Sequence, residues 1–196
     1  MPCFAGVDLA ASPRRPSGVA IVCTTSPTEH LHIKRLTMLY SDAEITELIL
    51  RDHARMVAID APLSLPPEGQ GFRNVERQLL SLGGRLLPLT LSSMRKLALR
   101  AIKLKEALEK AGVVVIETHP SSVLRIADCS YIDVCNLFGL HLPREASRHE
   151  EDALVAALVA FCATRDCGYR VEGSDGAIYV LRPGICRTLS SFSTRF

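Results

Sequence analysis

Short apolar runs and helical stripes alternate along the chain, and three of the runs close on an acid. Residues 3–9 (CFAGVDL) are largely apolar around Asp8, the turn-rich ASPRRPSG follows, and Gly18–Cys23 is a second run. Two strands joined by such a loop predict a hairpin. In HLHIKRLTML, Leu31, Ile33, Arg35 and Thr37 alternate with His32, Lys34, Leu36 and Met38, the period of a half-buried strand, here expected at a sheet edge. Ser41-Asp42-Ala43-Glu44 has the spacing of a capping box, and Ile45, Leu48 and Ile49 continue it as a helix ending near His53. Met56–Ile59 is continuously apolar and closes on Asp60, then Ala61-Pro62, as in a buried central strand whose last residue faces a crevice.

Residues 63–91 hold LSLPPEGQG and SLGGRLLP around a helical FRNVERQLL, which predicts a loop and helix insertion within one domain. Ser92 or Ser93 then caps a helix running to Lys110 and stopped by Gly112. Val113–Ile116 is the third run, ending on Glu117 ahead of Thr118-His119-Pro120. Residues 121–146 predict a helix or two and an FGLHLP loop, and Ser147-x-x-Glu150 is a second capping box. The helix it opens, Asp152–Phe161 in its body, is apolar nearly all round and so is expected to be buried. YRVEGSDGAIYVL (169–181) predicts a hairpin over Ser174-Asp175-Gly176, and the tail from 187 is expected to be loosely held.

Composition narrows the class without naming partners. With 196 residues, 47% hydrophobic and 22% charged, residues 1–196 fit one globular domain and exclude disorder, collagen and coiled coil. A net charge of +2 says nothing for or against nucleic acid, which needs a local basic stripe. The best such stripe is the helix carrying Arg95, Lys96, Arg100, Lys103, Lys105 and Lys110, although Glu106 and Glu109 also make it a solvated face of ion pairs. No apolar run reaches the ~20 residues of a membrane span, and MPCFAGVDLA lacks the flank and cleavage site of a signal peptide. A cytoplasmic protein with no membrane partner is the expectation. Seven cysteines without a CxxC pair argue against zinc and read as small buried residues. Only two Gln and two Asn fit a thermophile, in which intracellular disulfides do occur.

The three strand-end acids carry the chemistry. A desolvated carboxylate stripped of its partner costs roughly 3–5 kcal/mol, so Asp8, Asp60, Glu117 and an acid opening the buried helix need a cation among them. Basic residues are few at those positions, whereas a hard divalent cation takes clustered oxygens and leaves room for water and phosphate. Two such ions roughly 3.5–4 Å apart would activate water and stabilise the leaving oxygen in phosphodiester hydrolysis.

The order of elements resembles the RNase H-like arrangement, and GVDLA (6–10), VAIDAPLSLP (57–66), FRNVE (72–76), ETHPS (117–121) and HEEDALVAALVA (149–160) resemble the motifs of the predicted nucleases grouped as domain of unknown function 429. The resemblance spans residues 6 to about 160 and extends to the C-terminal hairpin. It implies an α/β, RNase H-like fold: a mixed five-stranded sheet with the first three strands antiparallel, the fourth and fifth parallel to the first, flanking helices, plus a C-terminal β-hairpin. It also implies hydrolysis of DNA or RNA with two Mg²⁺ or Mn²⁺ ions.

Carried over by position, Asp8 would bridge the metals, against the plainer role of bonding turn amides. Asp60 would be the fourth-strand ligand, or else an Asp-Ala-Pro turn former. Glu117 would be an outer ligand or water-orienting base, or else the partner of an insertion arginine. Asp152 would complete the site from the helix, although first-turn acids also favour the helix dipole; Glu151 competes with it, and Glu150 is explained by the capping box. Arg73 and Arg77, in an Arg-x-x-acid motif with Glu76, would grip a phosphate, or else lie on a solvated face. His119 would donate to a phosphate or leaving group, or else pack in its loop. The alternatives to a nuclease are a non-catalytic RNase H-like module binding nucleic acid or a phosphate ligand, and another phosphotransfer activity. A third strand at the sheet edge could pair across a two-fold axis into a homodimer.

Overall fold

The computed structural model describes residues 1–25, 30–141 and 145–190. The first two apolar runs form the predicted hairpin, β1 (Cys3–Asp8) and β2 (Ser17–Thr25), and β3 (His30–Leu39) extends it antiparallel to the sheet edge. The helix α1 (Asp42–Arg51) opens on its capping box: the Glu44 amide donates to Ser41 Oγ at 3.2 Å, and the Ser41 amide to Glu44 Oε2 at 2.8 Å. Strand β4 (Ala54–Asp60) then returns parallel to β1. The insertion contributes α2 (Asn74–Ser81), and α3 (Ser92–Lys110) leads to β5 (Val114–Thr118), parallel to β4. The remaining elements are α4 (Pro120–Ala127), α5 (Tyr131–Leu137), α6 (Arg148–Cys162), β6 (Gly168–Gly173), β7 (Gly176–Leu181) and α7 (Ile185–Ser190).

Pleating divides the core into two layers. Phe4, Ala20, Ala58 and Ile116 face α2, α4, α5 and α6; Val7, Ile21, Ile59 and Val115 face α1 and α3. Helix α6 is buried continuously from Ala153 to Cys162, as its composition predicts. Its own capping box holds, with the Ser147 amide donating to Glu150 Oε2 at 2.9 Å.

Several expectations are corrected. The sheet has seven strands, in the order β3-β2-β1-β4-β5-β7-β6, rather than five. The expected C-terminal hairpin supplies the two extra strands, because Val171, Ile178 and Val180 are apolar and complete the α6-side core; β7 pairs with β5 at Glu117 and Ile178, and Thr118 Oγ1 donates to the Tyr179 carbonyl at 2.8 Å. Helix α3 is capped at Leu91 with no side-chain bond, and both serines lie inside its first turn. Arg100 drops out of the basic stripe, since it is buried and donates to Asp42 Oδ1 and to the carbonyls of Ala10 and Tyr40.

Six cysteines pair, as Cys3–Cys23, Cys129–Cys186 and Cys162–Cys167, leaving Cys135 free and buried. The tail begins as α7, tied back through Cys186 and by Arg187 to Asp128, while residues 191–196 and 142–144 of the FGLHLP region lie outside the described residues.

Candidate functional site

Asp8 and Asp60 are the last residues of β1 and β4 and are partners in the parallel register of those strands. Being in register, they emerge on the same side of the sheet, the side covered by α6. Two glycines let that helix come close. A Cβ on Gly6 would lie 2.1 Å from the Ala153 carbonyl oxygen, and one on Gly18 would lie 2.0 Å from that of His149. The bare backbone at these positions therefore seats the first turns of α6 against the carboxyl end of β1. His149 reaches Asp8 directly, Nδ1 to Oδ2 at 2.5 Å. Asp152, one turn further on, faces the same acids and is flanked by Arg148 at 3.5 Å.

Burial raises the Asp60 carboxyl well above its ordinary value, and Asp8, Asp152 and Glu117 add repulsion in that order. Burial also raises Asp8, opposed by His149, and raises Asp152, to which Asp8 adds. The neighbouring charges that act most on Asp60 are all acids.

Glu117 stands opposite Ile59 in the ladder, one place short of Asp60, so the pleat directs it away from the Asp8–Asp60 pair. Its Oε2 accepts from Arg73 Nη1 at 2.9 Å and the Leu63 amide at 2.8 Å, and its Oε1 accepts from Arg73 Nη2. Burial still leaves Glu117 raised despite that ion pair, and its carboxyl partners hold the Arg73 guanidinium above its ordinary value against its own desolvation.

A cleft of about 160 Å³ opens over these strand ends, lined by Asp8, Asp60 and Glu117 and by the apolar Leu86, Met94 and Leu97. That volume holds several waters but falls below the roughly 300–1,000 Å³ of pockets that enclose a drug-sized ligand. His119 lines the cleft and caps α4, its Nδ1 accepting from the Ser122 amide at 3.3 Å. Burial pushes its pKa down to about 4, so the ring is neutral at pH 7 and Nε2 carries the proton.

Of the two arginines expected to meet substrate, Arg73 is 1% exposed and committed to Glu76 and Glu117, whereas Arg77 donates to Gln70 on the exposed face of the insertion. Asp152 is the acid of that run that adds to the charge on Asp60, while Glu151 and Asp152 both act on Tyr131. His149 was not legible as a site residue, because it sits in a run of helix-opening polar residues. The only available signal is its place three residues before Asp152, which puts both on one face of a helix.

Asp8, Asp60 and Asp152 are the residues whose oxygens could hold a cation, yet among the described residues no three His, Cys, Asp and Glu side chains are gathered as a finished ion cage. Among the same residues no helix is long and apolar enough to cross a membrane.

A family model described as protein of unknown function (DUF429) matches residues 6–114. Comparison with curated proteins finds no match. Among solved structures, Thermus thermophilus RuvC superposes with a TM-score of 0.51 at 19% identity, covering 82% of this chain and 95% of RuvC. RuvC of T. thermophilus in complex with Holliday junction substrate gives 0.50 at 20% identity, covering 82% and 94%. At these identities the likeness is one of fold, and the fold is RNase H-like.

Proposed function

The chain belongs to the DUF429 family of proteins of unknown function, and from its site we propose that it is a metal-dependent nuclease acting on phosphodiester bonds of DNA or RNA. The observation that carries this reading is the register that sets Asp8 beside Asp60 at adjoining strand ends, with Asp152 on the helix packed over them; burial raises all three carboxyls, and Asp8 and Asp152 add to the rise of Asp60. Mutual repulsion of buried carboxylates is relieved by a cation, and their hard oxygens suit Mg²⁺ or Mn²⁺. One or two such ions would supply a Lewis acid for the attacking water and charge neutralisation for the departing oxygen.

The protein's own groups prepare that chemistry. His149 holds Oδ2 of Asp8 and so orients that carboxylate. His119, neutral and protonated on Nε2, is a donor for a phosphate oxygen at the cleft. The cleft is smaller than a pocket that encloses a whole nucleotide, which would leave a backbone phosphate as the group it meets. Nucleic acid as the substrate draws support from the structural neighbour solved with a Holliday junction.

The test is a thermal-shift titration with Mn²⁺ on the wild type and Asp8→Asn, followed by cleavage of a mixed panel of DNA and RNA. A stabilisation and a cleavage that both vanish in the variant are expected. Cleavage by Asp8→Asn at the wild-type rate, or no shift in either protein, would replace this reading with a non-catalytic binding module.

A further inference from the structure

Glu117 and the arginine of the insertion form a unit that the proposed chemistry does not use. Arg73, Glu76 and Glu117 have side-chain exposures of 1%, 3% and 7%, so one guanidinium is buried with two carboxylates. Arg73 forks onto both oxygens of Glu117, and its Nη2 also meets Glu76 Oε1 at 3.0 Å. Its Nη1 donates to Ser64 Oγ at 2.9 Å, and Ser64 donates in turn to the Asp175 carbonyl at 3.2 Å. The Asp175 carboxylate then caps α2, accepting the amides of Asn74 and Val75. Glu76 closes the same helix start by accepting the Arg73 amide at 2.8 Å.

Three of the four lone-pair positions of Glu117 are thus taken by donors. A cation bound at the remaining one would sit beside a guanidinium bonded to the same carboxylate. The Leu63 amide is the informative partner, because Leu63 lies three residues past Asp60 on the loop leaving β4. Glu117 therefore holds the path of the chain out of Asp60, and through Arg73 it holds the insertion whose Leu86 and Leu87 line the cleft.

We propose that Glu117 and Arg73 are a positioning pair rather than an ion ligand and a phosphate grip, fixing the insertion and the loop after Asp60 against β5. The inference rests on the nuclease reading only for its effect on cleavage; the positioning itself is read independently.

Three variants test it: Glu117→Gln, which keeps the shape and leaves Arg73 paired with Glu76; Arg73→Lys, which keeps the charge but loses the planar fork; and Asp60→Asn. Hydrogen exchange is followed over residues 61–91 and Mn²⁺ stoichiometry is measured in parallel. Glu117→Gln and Arg73→Lys both speed exchange across 61–91 and retain the wild-type number of bound Mn²⁺, while cleavage at saturating Mn²⁺ falls roughly 10–100-fold. Asp60→Asn shows the reverse, with exchange unchanged and Mn²⁺ lost. A Glu117→Gln protein that loses Mn²⁺ with exchange unchanged overturns the proposal, as does wild-type exchange in both pair variants. If the wild type binds no Mn²⁺ and cleaves nothing, the nuclease reading fails, and faster exchange in the two pair variants still upholds the pair.

Discussion

Gly6→Ala probes the packing that brings the site's third acid to the other two. A Cβ there would lie 2.1 Å from the Ala153 carbonyl oxygen and 2.2 Å from the Ala157 nitrogen, both backbone atoms of α6. Unstrained heavy-atom contact needs roughly 3.5 Å, so the helix must retreat by about 1 Å or more. A helix backbone cannot swing aside as the tip of a side chain can. Overpacking of a core costs about 1–3 kcal/mol, and with backbone on both sides the upper end applies. For a domain of this size ~3 kcal/mol lowers Tm by about 6–12 °C. The same retreat draws Asp152 and His149 away from Asp8 and Asp60, and a ~1 Å misplacement can cost on the order of 100-fold in rate. Melting followed by circular dichroism, with and without Mn²⁺, reads both effects: a lower Tm and a diminished metal-induced rise. A variant with wild-type Tm and an undiminished rise would refute the close approach of α6 to β1.

Three further outcomes follow from the same structure. Because burial and neighbouring acids raise Asp60, the folded protein keeps a proton there that the unfolded chain releases near pH 4. Metal-free stability should therefore fall as pH rises from about 4 through the raised value, more steeply than in Asp60→Asn; equal pH slopes of Tm would contradict it. Burial pushes the Cys135 thiol up to about 11, so thiol titration without reductant should find no reactive group in the native protein and one per chain in denaturant; several thiols in denaturant would break the disulfide assignment. Ser147→Ala removes the cap of α6 and should cost about 1 kcal/mol, or ~2–4 °C in Tm, with an unchanged melt counting against the capping box.

What could be read from the sequence was what local patterns encode. Asp8 and Asp60 stood out because each closes an apolar run, and Ser41 and Ser147 because a capping box has a fixed spacing. The fate of Glu117 depends on a register: opposite Ile59 rather than Asp60, it points the other way, and no single strand carries that information. Arg73 lies in a Pro- and Gly-rich insertion, where nothing local distinguishes a buried guanidinium from a solvated one. The sheet grew to seven strands because an apolar face on β7 met the edge of β5, a tertiary event outside both segments. The disulfides join cysteines 20, 57 and 5 residues apart, spacings with no common motif. His149 was hidden for the same reason as Glu117, since its partner, Asp8, lies on the first strand.

The distance between those two residues bears on how the protein is made. Asp8 and His149 are 141 positions apart, which at roughly 5–20 residues per second is on the order of ten seconds of translation. During that interval β1, β2 and β4 can pair, and Asp8 can stand beside Asp60, but the face awaiting α6 is bare to solvent. A nascent chain arrested before α6 would hold two of the three acids on an open apolar sheet, a form prone to association and unable to complete the site. Assembly of the carboxylate group thus waits for α6, and a product truncated before that helix would lack both Asp152 and His149.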